Sequence, residues 1–218
     1  MSLKQHELYD SLYSREDPYK ALSYYPEITR LKRGWEWVKK GRYRAALDIG
    51  SGEGHWTAKL CEVSDFVVAS DISLAAARRA ARSFPDRMHV VVVNLGNLCF
   101  SPHSFDLVCC MTSLGCLPAI DRKLAVAQIR DLLVDDGHLL LADAVIPGKF
   151  SRGEITSLLD GGFKVERTRA GNSRIPLLGR IASAFPRAAG PLYDSLSDLA
   201  DLAPERLAIH TLVWATKI

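Results

Sequence analysis

A glycine-rich stretch that begins at residue 45 constrains the fold of this 218-residue chain most strongly. Leu47 and Ile49 form a short apolar run, as expected of a parallel strand that is buried on both faces. Glycines at positions 50, 52 and 54 follow, and they allow a sharp turn and a close approach to a ligand because they lack Cβ. Such turns occur at the carboxyl end of the first strand of doubly wound sheets, where nucleotides bind.

The spacing of these glycines excludes two common nucleotide sites. A dinucleotide fingerprint, G-x-G-x-x-G, would place its third glycine at position 55, which is occupied by His55. The P-loop pattern G-x-x-x-x-G-K-[ST] occurs nowhere in the chain. An acid, Asp48, precedes the glycines, and a carboxylate at this point suits a cationic group such as an ammonium but would repel a pyrophosphate.

The order L-D-I-G-S-G-E-G over residues 47–54 resembles motif I of the class I S-adenosylmethionine-dependent methyltransferases. Three later segments are similar to the family in the same order: a strand that ends in Asp71, the F-D-L-V sequence at residues 105–108, and the turn at 135–137 before a fifth strand. This resemblance implies an α/β fold. We expect a doubly wound, Rossmann-like sheet of seven strands, mostly parallel with an antiparallel last strand, and helices on both faces.

The chain is long for one small domain and short for two, so we predict a single domain over residues 1–218. Its predicted parts are a helical leader or lid, a cofactor-binding core, a helical insertion over the acceptor side and a last strand, at residues 1–44, 45–170, 171–206 and 207–218. Two alternatives remain at this stage. The tyrosine-rich leader could pack against the sheet edge, and the insertion could extend the core or form a homodimer contact.

The resemblance implies S-adenosylmethionine as the cofactor and assigns roles to individual residues. Asp48, with the backbone of the glycine turn, would hold the amino-acid end, and Asp71 would accept bonds from the ribose hydroxyls. Asn94 and Leu95 would frame the adenine, although many relatives carry an acid where this chain has Asn94. The predicted cofactor-binding residues are Asp48, Ile49, Gly50, Ser51, Gly52, Asp71, Ile72, Asn94, Leu95 and Met111.

The loop after the fourth strand is predicted to lack a general base. Many relatives carry an acid at position 112 and histidine or tyrosine at 115 and 116, whereas this chain has Thr112, Gly115 and Cys116. An amine acceptor that arrives deprotonated suits such a site. A hydroxyl acceptor would need a base, for which His210 on the last strand is the weak catalytic candidate.

A narrower resemblance concerns the leader. The segments R-E-D-P-Y at residues 15–19 and S-Y-Y at 23–25 are similar to the small N-methyltransferases of nodulation-factor synthesis. That resemblance implies an amino-sugar or other small-molecule acceptor, methylated at nitrogen. The alternatives are an O-methyltransferase of a hydroxylated metabolite, a different nucleotide enzyme such as a dehydrogenase, and a non-catalytic nucleotide-binding relative.

Composition restricts the setting and the partners. Hydrophobic residues make up 48% of the chain, and no apolar run approaches the roughly 18 residues that a membrane span needs. Neither a signal peptide nor a C-x-x-C pair is found, and an odd count of five cysteines favours a reduced, cytoplasmic location. The histidines and acids show no metal-ligand spacing.

A net charge of +3 does not by itself favour nucleic acid. Seven basic residues lie between positions 30 and 44, with aromatic residues among them. We interpret this stretch as the solvated face of a helix over residues 27–40, with Ile28, Leu31, Trp35 and Val38 as its apolar face, and we predict no nucleic-acid partner.

Overall fold

The computed structural model describes residues 3–15, 24–84, 86–144, 150–173, 176–199 and 208–218. The helices are α1 (Leu3–Arg15), α2 (Tyr25–Val38), α3 (His55–Leu60), α4 (Leu74–Ser83), α5 (Ala119–Leu132), α6 (Arg152–Leu159), α7 (Pro176–Ala184) and α8 (Pro186–Leu199). The strands are β1 (Tyr43–Ile49), β2 (Ser64–Asp71), β3 (His89–Val92), β4 (Phe105–Met111), β5 (Leu133–Ala144), β6 (Phe163–Ser173) and β7 (Ala208–Lys217). A short 3-10 turn spans Leu114–Cys116.

The strands form one seven-stranded sheet in the order β3-β2-β1-β4-β5-β7-β6. The pairs between β1, β2, β3, β4 and β5 are parallel, and β7 runs antiparallel to both β5 and β6. This topology confirms the predicted fold class. The strand order reverses between β1 and β4, and in open sheets ligands bind outside the carboxyl ends of the strands at that point.

Helices cover both faces of the sheet because the central strands are apolar on both sides. Leu47 and Ile49 of β1 face the core that α5 and α6 complete, whereas Ala46 faces the core that includes Trp56 and Leu60 of α3. The glycine turn leaves the sheet between these two cores.

The predicted turn at Asp135–Gly137 is wrong, because these residues lie inside β5. Phe105 pairs with Leu133 and Leu107 with His138, so two steps along β4 correspond to five along β5. Asp136 adopts φ 60° within this bulge. A bulge accommodates the extra residues without ending the strand.

The predicted apolar face of α2 packs against the core, with Val38 buried and Leu31 and Trp35 partly buried. A second face, with Thr29, Arg30 and Arg33, is buried as well and was predicted to be solvated. This second face is polar because α8 packs against it: Asp194 accepts hydrogen bonds from the hydroxyls of Tyr25 and Thr29, at 3.0 and 2.8 Å. The basic stretch at 30–44 is therefore not one solvated face.

The insertion begins later than predicted, since β6 continues past residue 171 to pair Ser173 with Ala208 of β7. In its described part, α7 and α8 pack against each other and against α2, where Arg33 forms an ion pair with Asp198. None of the described residues of the insertion lines the cavity considered next. No helix in the described ranges is both long and apolar enough to cross a membrane.

Candidate active site

A cavity of about 970 Å³, part of it open to solvent, lies at the carboxyl ends of β1, β2 and β4. This is the position that the strand order predicts for a ligand. Residues from the glycine turn, the strand ends, α1 and α2 line it: Tyr9, Tyr13, Arg30, Leu31, Asp48, Ile49, Gly50, Ser51, Gly52, Glu53, His55, Trp56, Asp71, Ile72, Val93, Leu95, Met111, Thr112, Ser113 and Cys116.

The glycine turn forms the floor of this cavity. Gly50 and Gly52 have φ of 71° and 54°, in the left-handed region that side chains disfavour. The amides of Gly50 and Ser51 both donate to the carbonyl of Ser70, at 2.7 and 3.0 Å, which ties the turn to β2. A Cβ on Gly50 would lie 1.8 Å from the Ser113 hydroxyl oxygen, so this position has no room for a side chain.

Asp71 ends β2 beside the turn. Its two carboxylate oxygens accept the amides of Gly52 and Ser73, each at 2.9 Å. Burial raises the pKa of Asp71, while these amide bonds act in the opposite direction. The Ile72 amide also bonds to this carboxylate, which with about four lone pairs can still accept a further donor such as a ribose hydroxyl. The N-cap of α4 is Ser73, whose hydroxyl accepts from the Ala76 amide.

Asp48 is the most deeply buried acid of the cavity wall, with 1% of its surface exposed. One oxygen accepts the hydroxyl of Thr57 at 2.6 Å. Burial raises its pKa to about 7; the Thr57 bond opposes this shift, and the nearby charge of Asp71 adds to it. A buried acid with one neutral partner is suited to receive a cationic group.

Nine of the ten predicted cofactor-binding residues line the cavity, and Asn94 does not. The Asn94 side-chain oxygen accepts the amide of Gly96 at 2.8 Å, within a tight turn that also pairs Asn94 with Asn97. Its neighbours in sequence, Val93 and Leu95, line the cavity instead. The adenine end of the predicted site is therefore apolar.

His210 also lies outside the cavity. It is buried opposite Ala144 in the β5–β7 ladder. Burial, with a contribution from the charge of Arg30, lowers the pKa of His210 to about 3. An imidazole in this state is a poor proton acceptor near neutral pH.

The loop after β4 is held tightly. Thr112 has φ 65°, an uncommon conformation for a β-branched residue. The Gly115 amide donates to Asp143 at 2.7 Å, and a Cβ on Gly115 would come within 2.7 Å of the same carboxylate. A side chain at position 115 would therefore crowd Asp143.

Helix α1 lies across the cavity and contacts both of its sides. On the side of β4, the Tyr9 hydroxyl donates to the Cys116 sulfur at 3.1 Å. On the side of β2, Asp10 accepts the Ser73 hydroxyl at 2.7 Å and the Ala75 amide at 2.9 Å. Tyr13, a buried residue of α1 itself, lines the cavity close to Gly52.

Arg30 is a cavity residue that the sequence pattern does not predict. It is 5% exposed, and its Nε and Nη2 donate to Glu27 at 2.9 and 2.6 Å. Its sequence signal, one arginine in a basic run, does not distinguish it from Lys32 or Lys39. Among the described residues, the cavity included, no group of three or more histidine, cysteine or acidic side chains could hold a metal ion.

Comparison with known proteins agrees with this geometry. Residues 46–137 match the family model described as a methyltransferase domain. That segment includes the glycine turn, Asp71 and β4. This match covers less than half of the chain, and over nearly its whole length the chain has the fold of the N-methyltransferase NodS. No curated protein matches the sequence.

Three solved structures illustrate the similarity of the fold. NodS from Bradyrhizobium japonicum, in complex with S-adenosyl-L-homocysteine, has a TM-score of 0.74 and 14% identity, with 97% of each chain covered. A TehB-like methyltransferase from Corynebacterium glutamicum has a TM-score of 0.60 and 18% identity, covering 99% of this chain and 97% of its own. The [4+2]-cyclase SpnF has a TM-score of 0.64 and 16% identity, covering 88% and 80%. A cyclase on this fold shows that the architecture alone does not define the reaction.

Proposed function

We propose that the chain transfers the methyl group of S-adenosylmethionine to a nitrogen of a small molecule, with an amino sugar as the first acceptor class to test. One observation carries this proposal. The residues of β4 and of the loop after it that line the cavity are Met111, Thr112, Ser113 and Cys116. This wall contains neither a carboxylate nor an imidazole that could deprotonate a hydroxyl acceptor. An amine needs only to arrive in its neutral form.

The residues of the cavity suit the cofactor. When bound, S-adenosylmethionine supplies an electrophilic methyl group on a sulfonium. Asp48 would receive the ammonium of its amino-acid end, and Asp71 the ribose hydroxyls, since both are buried acids with lone pairs to spare. Leu95 would lie against the adenine and Met111 close to the sulfonium.

The remaining work of this chain is to position the acceptor and exclude water. Well-oriented reactants reach effective molarities on the order of 10⁵–10⁸ M, so transfer can be effective although the wall after β4 supplies no base. Burial and a neighbouring cation both favour the neutral form of an amine. They therefore favour an acceptor nitrogen whose lone pair is available.

Residues 1–44 would contribute a lid, as the sequence predicts. The contacts of α1 support this role, because Tyr9 and Asp10 bind opposite sides of the cavity opening. The leader segment at residues 16–23, which carries most of the resemblance to the nodulation-factor enzymes, lies outside the described residues.

All five cysteines are free thiols, which supports the predicted cytoplasmic location.

The test is a methyl-transfer screen with methyl-labelled cofactor over chitosan-type amino-sugar oligomers, hydroxylated small molecules and RNA. We expect label on an amine-bearing compound, located at nitrogen by mass spectrometry of the product. The Asp71→Ala variant serves as the catalytically impaired control. Label on hydroxyl compounds with none on any amine would contradict the nitrogen assignment.

A further inference from the structure

Helix α7 carries apolar side chains on both of its faces. On its inner face, a Cβ added to Gly179 would lie 3.0 Å from Pro26 of α2, so the two helices pack closely. On its outer face, Leu177, Ile181 and, just past the helix end, Phe185 follow at intervals of four residues and are exposed. A helix that is apolar all round is normally covered on every side. Among the described residues, nothing covers the outer face.

The exposed apolar side chains are concentrated in the hairpin that α7 and α8 form. Leu192 and Leu199 of α8 are exposed as well and lie seven residues apart, on one stripe of the helix. Five of the fourteen large apolar side chains that are exposed among the described residues thus belong to this hairpin. Single exposed apolar residues are ordinary, whereas a concentration of them marks an interaction site. We call these five residues the outer apolar surface.

The charges of the hairpin are divided between its two sides. Its two acids, Asp194 and Asp198, form hydrogen bonds with side chains of α2. Its two arginines, Arg180 and Arg187, are exposed and form no ion pair within the described ranges. The outer side of the hairpin is therefore both apolar and cationic.

This combination fits an anionic lipid surface better than it fits a protein. Leucine and phenylalanine beside arginine are typical of helices that lie in the membrane interface. A symmetric contact between two copies of the chain would bring the same cationic patch of both copies together, which like charges oppose. A folded partner would need pockets for Leu177 and Phe185, which protrude with 71% and 66% of their surface exposed. A fluid lipid surface adapts to such side chains without preformed pockets.

We infer that the outer apolar surface binds the face of an anionic lipid bilayer. Leu177 and Phe185 insert at the boundary of the acyl chains, while Arg180 and Arg187 lie at the level of the lipid phosphates. This inference goes beyond the proposed function, and none of these four residues lines the cavity. Its test is therefore independent of cofactor binding.

Co-sedimentation of the full chain with vesicles tests the inference. We expect binding to vesicles of phosphatidylglycerol mixed with phosphatidylcholine, little binding to phosphatidylcholine alone, and weaker binding as salt is added. The double variant Leu177→Gln with Phe185→Gln should weaken binding about 10- to 100-fold, because two apolar side chains no longer insert. Arg180→Gln with Arg187→Gln should weaken it about 10- to 30-fold, because two contacts with anionic headgroups are lost.

Ile120→Gln with Leu124→Gln is the matched control, since it removes two comparably exposed apolar side chains from α5. This variant should bind the mixed vesicles as the natural chain does, and circular dichroism of all three variants verifies their folding. The inference is wrong if the natural chain stays in the supernatant with the mixed vesicles, or if the control loses as much binding as the hairpin variants. It is also wrong if sedimentation velocity shows a dimer that Leu177→Gln with Phe185→Gln abolishes, because the surface would then bind a second copy.

Discussion

The Gly52 amide donates to the Asp71 carboxylate across 2.9 Å, which joins the glycine turn to the end of β2. The two residues are 19 positions apart in sequence. This bond sets the distance between the part of the site that would hold the amino-acid end and the part that would hold the ribose. The Ser73 amide completes the arrangement from the other side of the carboxylate.

Asp71→Ala should reduce affinity for S-adenosylhomocysteine by about 10²- to 10³-fold, because two hydroxyl bonds to a charged acceptor are lost. It also leaves the amides of Gly52 and Ser73 without their acceptor. Asp65→Ala, an exposed position on the same strand, is the control and should bind normally. Titration calorimetry measures both. Equal affinity of the two variants would exclude a ribose role for Asp71.

Asp48 should make the ligand-free protein less stable as pH rises. Its folded pKa is about 7 against a usual 3.8, so the folded state binds more protons than the unfolded chain between these values. The free energy of unfolding therefore falls with rising pH across that window, by on the order of a few kcal/mol. Urea unfolding of the natural chain and Asp48→Asn from pH 5 to 8 measures this. Parallel curves for the two proteins would be inconsistent with a raised pKa at Asp48.

Gly50→Ala should both destabilise the protein and weaken cofactor binding. The new Cβ would clash with Ser113, and the alanine would have to adopt the positive φ of Gly50. Gly161→Ala has the same backbone constraint, with φ 75°, but no atom within 4 Å, so it should cost only about 1–2 kcal/mol.

The double variant Gly50→Ala with Ser113→Gly separates the two effects, because it removes the clash and keeps the backbone strain. It should recover part of the melting temperature and of the affinity for S-adenosylhomocysteine. No recovery, with Gly50→Ala and Gly161→Ala equally destabilised, would mean that close packing against Ser113 is unimportant.

Asp10→Ala should speed the release of S-adenosylhomocysteine by about 10-fold, because α1 loses its bonds to Ser73 and Ala75 at the start of α4. Stopped-flow displacement gives the rate constant. Glu7→Ala, an exposed acid on the same helix, should release the ligand at the natural rate. An unchanged rate in Asp10→Ala would argue for simple packing of the leader.

His210→Gln should leave the pH profile of methyl transfer unchanged, since the imidazole lies outside the cavity and is neutral throughout the neutral range. The variant keeps a hydrogen-bonding side chain at this buried position. The rate of methyl transfer between pH 6 and 9 is the measurement. Loss of an ionisation near neutral pH would restore His210 as a candidate base.

The successful predictions depend on local features of the chain. The glycine turn needs a backbone conformation that only particular residues tolerate, and Asp48 and Asp71 stand next to strand ends that apolar runs reveal. The order of these strands along the chain then determines where the acids meet, because parallel strands place their carboxyl ends on one edge.

The errors concern contacts between distant segments. Periodicity found the apolar face of α2 but missed its polar buried face, because α8 supplies partners for Thr29 and Arg33 some 160 residues later. Asn94 was expected at the adenine, but its side chain is used by its own turn. No local pattern distinguishes an amide that faces a ligand from one that closes a turn.

The sequence by itself predicted the class of this protein and its methyl donor, since both predictions depend on the short stretch from Leu47 to Gly54 and on Asp71. Only the tertiary structure decided that Arg30 and α1 complete the cavity and that His210 does not reach it. The physical reason is that burial and partnership of a charged side chain depend on which elements pack around it. Those neighbours are brought together by the fold rather than by the order of the chain.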